Sequence, residues 1–587
     1  MSRIAVIQKE RCNPIGCGNY LCMRVCPINR KGEDCIFIDE DKKAGIVEDL
    51  CIGCNICVKK CPFEAISVIN LPEELKTKPI HQYGRNGFHL YNLPIPMFGK
   101  VTGILGVNGI GKSTAVKILA GMLKPNLGNF ENKEGVSYEQ LIEFFKGSEA
   151  QNFFEKMNRG EINVSYKPQQ VELIPKGATG TVKDLLQKVD QKGEFEKIVK
   201  DLELTHILEN DIKKISGGEL QRVAIAATVL KKANVYFFDE PSSFLDIKQR
   251  IKVSKFIRNL ADENTAVMVV EHDLVILDYM TDLLNIIYGK EGVYGIVGGV
   301  KATRVGMNAY LDGYIREENI RFRDHAIHFQ EKPPIQKQGV EIMTSWKGIK
   351  KKLENFELEA NQGDLFKGDV VGIMGENGIG KTTFVKILAD VLQADKGTVD
   401  ISVKVSYKPQ YIEIKEDELV ASILGHAIEK YDVQLIKPLK ITPLLTRSLS
   451  ELSGGELQRV AICKCLSEDA DLYLLDEPSA YLDVEQRLAV STIIANFMEL
   501  KGKSAVVVDH DILFLDYLSK RLMVFDGMPA KNGICNGPFN MEEGMTLFLK
   551  NLDISLRRDK DSNRPRINKF GSVKDREQKS SGNLYYG

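Results

Sequence analysis

Gly106-Val107-Asn108-Gly109-Ile110-Gly111-Lys112-Ser113 and Gly375-Glu376-Asn377-Gly378-Ile379-Gly380-Lys381-Thr382 are two copies of one pattern, G-x4-G-K-[ST]. Each follows an apolar stretch, residues 101–105 or 370–374, that is expected to be a strand, and each runs into an expected helix at residues 114–119 or 383–388. That strand–loop–helix context is what a phosphate-binding loop requires. The glycines let backbone N–H groups turn inward around phosphates at a helix N-terminus. The lysine reaches the β and γ phosphates, and the hydroxyl of Ser113 or Thr382 ligates magnesium. A nucleoside triphosphate is therefore expected in two places. One is formed by Gly106, Asn108, Gly109, Gly111, Lys112, Ser113 and Thr114, the other by Gly375, Asn377, Gly378, Gly380, Lys381, Thr382 and Thr383.

The two halves continue to match, in the same order. Lys167-Pro168-Gln169 and Lys408-Pro409-Gln410 come next, then Ser216-Gly217-Gly218-Glu219 and Ser453-Gly454-Gly455-Glu456, each opening a helix with Leu-Gln-Arg. Two apolar strands then end in carboxylate pairs, Asp239-Glu240 before Pro241 and Asp476-Glu477 before Pro478. The first of each pair suits magnesium and the second can orient an attacking water. Asp246 and Asp483 follow, and His272 and His510 close each copy. Serine to aspartate is 23 residues in both copies, 216 to 239 and 453 to 476. Lysine to glutamine is 57 residues in the first copy, 112 to 169, but 29 in the second, 381 to 410, so the first carries 28 extra residues. Leu141, Ile142, Phe144, Phe145, Phe153 and Phe154 give that insert two amphipathic segments around Lys146-Gly147-Ser148, hence an expected helix–loop–helix at about 134–162. Ser216 and Ser453, each three residues before a glutamate, also fit an ordinary capping box.

Nine of the 12 cysteines precede residue 62, and eight form two clusters, Cys12-x4-Cys17-x4-Cys22-x3-Cys26-Pro27 and Cys51-x2-Cys54-x2-Cys57-x3-Cys61-Pro62. The second is the run used by bacterial-type ferredoxins, in which three close thiolates hold one cubane and the fourth, before proline, reaches its neighbour. By that logic Cys51, Cys54, Cys57 and Cys26 hold one 4Fe-4S cluster, and Cys12, Cys17, Cys22 and Cys61 the other. The first run departs from ferredoxin spacing, so a longer loop must wrap its cluster. Zinc is disfavoured because the second run has one thiol too many in too tight a turn. A disulfide framework is disfavoured because the start carries no signal peptide, which makes the chain read as cytoplasmic. Cys35 has no partner spacing and is expected to be a free thiol.

At 587 residues and 43% hydrophobic content the chain exceeds a single core. No apolar run approaches the roughly 18 residues that span a bilayer. A formal charge of −1 announces no nucleic acid, so any such contact must come from local patches.

The repeated elements resemble the ATP-binding cassette. A cysteine domain ahead of two cassettes, the first with a helical insert, resembles one family in that class, the E subfamily, also known as ribosome recycling ATPases or RNase L inhibitors. Its specific carriers here are the eight cysteines, Gly53 between Ile52 and Cys54, and the aromatic residues Phe244 and Tyr481 before each Leu-Asp pair. The resemblance implies an α/β chain of two tandem cassette domains preceded by an α+β ferredoxin-like iron–sulfur domain. It divides the sequence at 1–72 (two 4Fe-4S clusters), 73–299 (first cassette), 300–345 (hinge), 346–535 (second cassette) and 536–587 (C-terminal hinge and basic tail).

It further implies that Glu240, Glu477, His272 and His510 are catalytic. Magnesium would sit with Ser113, Thr382, Gln169, Gln410, Asp239 and Asp476. Ser216, Gly217, Gly218, Ser453, Gly454 and Gly455 would meet the nucleotide held by the opposite copy, and Tyr83, Phe88 and Phe356 resemble adenine-contacting positions. The implied function is ATP-driven splitting of ribosomes after termination or rescue, with a part in initiation. The implied partners are the small subunit with its ribosomal RNA and a release or rescue factor, with no membrane, and the cassettes would pair within one chain. An ATPase subunit of a membrane transporter and a redox-coupled ATPase are the alternatives. The tail 550–587 carries ten basic against five acidic residues, which suits an RNA-touching hinge or a solvated terminus. The insert, with seven acidic and four basic residues from 131 to 161, cannot rest on charge attraction alone.

Overall fold

The computed structural model describes residues 3–70, 78–132, 134–329, 341–400, 403–410 and 417–586. The 72/73 boundary and the hinge residues Glu331 and Lys332 lie outside them.

Each cassette is built on a sheet whose middle strands are buried along their whole length and mostly apolar, as strands covered on both faces must be. In the first cassette Val164–Lys167, Val235–Asp239, Ala266–Val270, Val101–Leu105 and Leu283–Lys290 run parallel in that spatial order. The second repeats this with Val405–Lys408, Leu472–Asp476, Ser504–Val508, Val370–Met374 and Arg521–Met528. The phosphate loops and the carboxylate pairs both stand at the carboxyl ends of adjacent or near-adjacent strands, where open α/β sheets bind ligands. The loop helices are Lys112–Leu119 and Lys381–Leu388, beginning two residues earlier than the sequence suggests because the lysine itself is helical.

The insert forms helices Tyr138–Phe144 and Glu149–Asn158, the first closed by a Ser137–Gln140 capping box. Leu141, Ala150, Phe153 and Phe154 are buried with Ile118 and Leu119 of the loop helix, which roots the insert in the first cassette. At the N-terminus Arg3–Ile7 pairs antiparallel with Ile66–Asn70, and a hairpin of Ile36–Ile38 with Ala44–Ile46 packs beside it.

Several expected boundaries fall inside elements. The strand Ile342–Leu353 crosses 346, Asn532–Asn540 crosses 535, and Lys301–Ala302 pairs with Leu283 and Leu284 of the first cassette. The tail is folded: Leu556–Arg558 pairs with Pro565–Ile567, and helix Val573–Ser581 follows. Several of its basic side chains are paired with acids of the tail or of the first cassette, which corrects the reading of a solvated terminus. Arg564 is 1% exposed and sits 3.2 Å from Asp278 of the first cassette. Arg566 meets Asp278 at 2.5 Å and Asp559 at 3.1 Å. The helix Thr303–Asp312 of the other hinge segment joins it, Arg304 lying 2.9 Å from Asp559 and 2.6 Å from Asp561. Arg323 reaches Glu485 of the second cassette at 3.1 Å. The segment after the first cassette and the tail therefore bind one another as well as the cassettes. Lys550, Lys560, Lys569 and Arg576 remain exposed.

Removing one partner of a buried ion pair leaves an uncompensated charge, at a cost of about 3–5 kcal/mol. Asp278→Ala is therefore expected to strip hydrogen-exchange protection from residues 554–567. Unchanged protection there would show that apolar packing alone holds the tail.

Candidate functional site

The phosphate loops owe their shape to glycine at positions no side chain could share. Gly111 and Gly380 have φ of 98° each, and a Cβ there would lie 2.8 Å from the rings of Phe88 and Phe356. Those two aromatics thus occupy equivalent places beneath the loops. Tyr83 is exposed, with its hydroxyl 3.3 Å from Thr114 Oγ1. Lys112 is buried and donates to the carbonyls of Gly106 at 2.9 Å and Val107 at 2.8 Å. Lys381 does the same to Gly375 at 2.9 Å and Glu376 at 2.7 Å.

The carboxylate pairs come next to the loops, as the sequence suggests. Thr382 donates its hydroxyl to Asp476 at 2.8 Å, and Tyr166 donates to Asp239 Oδ2 at 3.2 Å. Asp239 Oδ1 is buried without a hydrogen-bond partner among the described residues. Burial, then the neighbouring Glu240, push the Asp239 carboxyl up. A buried acid with an unsatisfied oxygen beside a serine or threonine hydroxyl is a donor set for a hard cation such as magnesium.

Glu240 and Glu477 behave oppositely. Burial alone would raise them, but the imidazoles of His272 at 3.3 Å and His510 at 3.4 Å, with the phosphate-loop lysines, hold both at about 2. Each therefore stays a carboxylate at neutral pH, able to accept a proton or orient a water. Gln169 and Gln410 engage the second carboxylate of each pair. Their amides donate to Glu240 Oε1 at 2.8 Å and Glu477 Oε1 at 2.9 Å. Burial brings Lys167 and Lys408 down to about 8, and they hold the backbone carbonyls of Asp239 and Asp476 at 2.8 Å and 2.7 Å.

Ser216 and Ser453 cap the helices Gly217–Val229 and Gly454–Ser467, each in a reciprocal box with Glu219 or Glu456. The helix N-termini, with their glycine pairs, are anion-binding ends. Sequence reasoning singled out Asp246 and Asp483 without a role. The structure shows them crossing between cassettes: Asp246 Oδ2 accepts from the N–H of Asn377, and Asp483 Oδ2 from that of Asn108, both at 3.0 Å. Lys248 adds a second bridge, 2.6 Å from Glu376. Gln221 and Gln458, also missed, donate to the carbonyls of Glu240 at 2.6 Å and Glu477 at 2.7 Å. Their duplication in the Leu-Gln-Arg runs was the available signal.

The cysteines separate into two groups. Cys26, Cys51, Cys54 and Cys57 line one small, open-sided cavity, and Cys12, Cys17, Cys22 and Cys61 line another. Among the described residues no three His, Cys, Asp or Glu side chains converge as a single-ion site would require. Four thiols set around the wall of one open-sided cavity fit the four-cysteine ligation of an iron–sulfur cluster. Burial pushes the Cys22 thiol up to about 12 and Cys57 to about 11, so thiolates there require cations to stabilise them. Cys35, expected as a free thiol, stands directly before the strand Ile36–Ile38, 1% exposed, and lines the same cavity as Cys26, Cys51, Cys54 and Cys57.

Two loop–carboxylate sites, each loop bonded to the opposite half through Asp483 or Asp246, define an ATP-binding cassette protein. The family described as ABC transporter matches residues 95–243 and 358–480, and the 4Fe-4S binding domain matches residues 44–67. The chain belongs to the E family of ATP-binding cassette proteins and is an ATPase carrying a 4Fe-4S domain. It is 43% identical to ABC transporter E family member 1 of Arabidopsis thaliana, over 100% of this chain and 99% of that one. It is also 43% identical to translation initiation factor RLI1 of Saccharomyces cerevisiae, over 100% and 98%. A solved structure titled as a model of ribosome-bound archaeal Pelota and ABCE1 is similar with a TM-score of 0.93 and 52% identity, over 100% of this chain and 99% of that one. Another, a complex of an archaeal ribosomal stalk protein with a ribosome recycling factor, gives 0.82 and 50% over 87% and 99%. Among the described residues no helix is long and apolar enough to cross a membrane.

Cys54→Ser is expected to lose iron on purification, whereas Cys35→Ser is expected to keep the iron of the unaltered chain. Equal iron in both variants would contradict the assignment of the cavity-lining thiols.

Proposed function

We propose that this chain is an ATP-driven ribosome recycling factor of the cytoplasm, which separates ribosomal subunits after termination or rescue and also takes part in translation initiation. The observation that carries this reading is the likeness, over the whole chain, to a protein seen bound to a ribosome with Pelota. The names of relatives as translation initiation factors support the second role. Its partners are then the small subunit with its RNA and a release or rescue factor, and it works as a single chain whose own cassettes pair.

Two composite sites do the chemistry. One comprises Lys112, Ser113, Gln169, Asp239, Glu240 and His272 with Ser453, Gly454 and Gly455 of the opposite cassette. The other comprises Lys381, Thr382, Gln410, Asp476, Glu477 and His510 with Ser216, Gly217 and Gly218. Magnesium, held by the hydroxyl, glutamine and aspartate of each set, would neutralise phosphate charge. Glu240 and Glu477 orient the attacking water, and the histidine keeps each glutamate ionised. In the present geometry the Gln169 and Gln410 amides occupy one oxygen of each glutamate, so each must let go before that oxygen can take a water. A γ-phosphate shared between a loop and the opposite helix end makes the cassette pair a clamp, biased shut by ATP and released by hydrolysis. Tyr83 and Phe88 flank the first nucleotide.

Two 4Fe-4S clusters, on Cys26, Cys51, Cys54 and Cys57 and on Cys12, Cys17, Cys22 and Cys61, would stiffen the N-terminal domain into a lever and amount to about eight irons per chain. The test is sedimentation of whole ribosomes with ATP, a bound release or rescue factor and the purified chain. Free subunits are expected. A chain lacking residues 1–70 should hydrolyse ATP yet leave ribosomes whole, and Glu240→Gln or Glu477→Gln should bind ATP while slowing hydrolysis at its own site. Splitting by the truncated chain would overturn the lever.

A further inference from the structure

Arg11, one residue before Cys12, leaves the cysteine domain and reaches the second cassette, where its guanidinium lies 3.6 Å from Glu456. Glu456 completes the capping box of Ser453: it accepts the Ser453 N–H and hydroxyl, each at 2.9 Å. Arg447 braces the same carboxylate at 3.1 Å, and these partners together overcome burial to hold its pKa down. Arg11 therefore touches the group that shapes the helix end facing the Lys112 phosphate loop.

The same domain is fastened to the first cassette in another way. Asn86, 5% exposed, donates to the Ala5 carbonyl at 2.9 Å and accepts from the Ile46 N–H at 2.8 Å, while its own carbonyl accepts from the Ile7 N–H at 3.0 Å. Those bonds are short and buried. The Arg11 link is long and its arginine is 27% exposed, the kind of pair that contributes little and breaks readily. Among the described residues the domain thus has a firm anchor on one cassette and one weak ion-pair strut to the other.

Among the described residues the second site has no such strut. Glu219, the counterpart of Glu456, pairs with His206 of its own cassette at 3.2 Å, and among the described residues no hydrogen bond or ion pair joins it to the cysteine domain. The loops differ too. A Cβ on Gly109 would meet Glu291 Cγ at 3.1 Å, whereas the counterpart Gly378 faces Ala530 and Pro529.

We infer that Arg11 is a positioning residue that couples the posture of the cysteine domain to closure of the Lys112–Ser453 site alone. The inference rests on the reading of the cassettes as an ATP clamp and deepens it by naming the site that governs the lever. For the Ser453 helix end to advance on a γ-phosphate, Glu456 must move relative to the first cassette. Asn86 fixes Arg11 to that cassette, so either the pair breaks or the domain shifts. The coupling is reciprocal: a domain held in the docked posture opposes closure at this site.

The test uses the full chain in two backgrounds, Glu240→Gln and Glu477→Gln, each loaded with radiolabelled ATP and chased with unlabelled ATP. Adding Arg11→Gln is expected to slow release about twofold to fivefold in the Glu240→Gln chain, the scale an exposed ion pair supplies, and to leave the Glu477→Gln chain unchanged. Arg11→Lys should restore the original rate. No change, faster release, or an equal change in both backgrounds overturns the inference. Cluster absorbance reports whether each variant keeps its iron. If Arg11→Gln loses it, sodium chloride replaces the substitution, because salt screens an exposed pair. The ratio of release rates, Glu477→Gln over Glu240→Gln, should then rise with salt, and a constant ratio overturns the inference. Failure of either chain to retain ATP would contradict the clamp itself. Ribosomes are absent from this assay, so its outcome is separate from that of the splitting test.

Discussion

Asp246 and Asp483 each use one carboxylate twice. One oxygen accepts from the third N–H of its own helix, at Gln249 or Gln486, both at 2.9 Å. The other crosses to the phosphate loop of the opposite cassette at Asn377 or Asn108. Both bonds can form together only when the cassettes lie head to tail. Each loop then faces the capped serine helix of the other half. At the seam, Arg250 pairs with Asp273 at 3.0 Å and Arg487 with Asp511 at 2.8 Å. Burial and the facing Asp511 push Asp273 up, so those arginines are what keep two close carboxylates tolerable.

In that arrangement the backbone after each carboxylate strand is held in an unusual conformation. Glu240 and Glu477 have φ of 49° and 48°, and Phe244 and Tyr481 of 64° and 62°, values that cost non-glycine residues energy. The surroundings over-determine them. The Glu240 N–H donates to Val270 at 2.9 Å, and its carbonyl accepts from Lys167 and Gln221. The same set recurs around Glu477 with Val508, Lys408 and Gln458. The strained turn carries the chain from the strand end to the crossing aspartate within seven residues, which ties Glu240 and Glu477 to the interface.

The local features were legible in the sequence. The phosphate loops, the carboxylate pairs, the capping boxes and the amphipathic insert each depend on neighbours within a few turns of chain, and their duplication removed ambiguity. The interleaved cysteine grouping was legible because proline-flanked spacing fixes which thiol crosses over. What could not be read depends on distant partners. Nothing near Asp483 announces Asn108, 375 residues away. The tail looked basic because composition cannot show that Arg564 is sealed against Asp278, 286 residues earlier. Gln169 could be placed near the magnesium acids from its family position, but not on Glu240, since that contact depends on the side-chain rotamer. Cys35 lacked a ligand spacing, and only the packing of the hairpin put it at the cavity wall.

The central claim is that each nucleotide is shared between the phosphate loop of one cassette and the serine helix of the other. Trapping ADP with vanadate and irradiating the complex cuts the backbone wherever it lies against the trapped γ-phosphate position, and mass spectrometry maps the cuts. The account predicts cleavage at both loops, around Lys112 and Lys381, and also at the opposite helix ends, around Ser453 and Ser216. Cleavage confined to the two loops would contradict it.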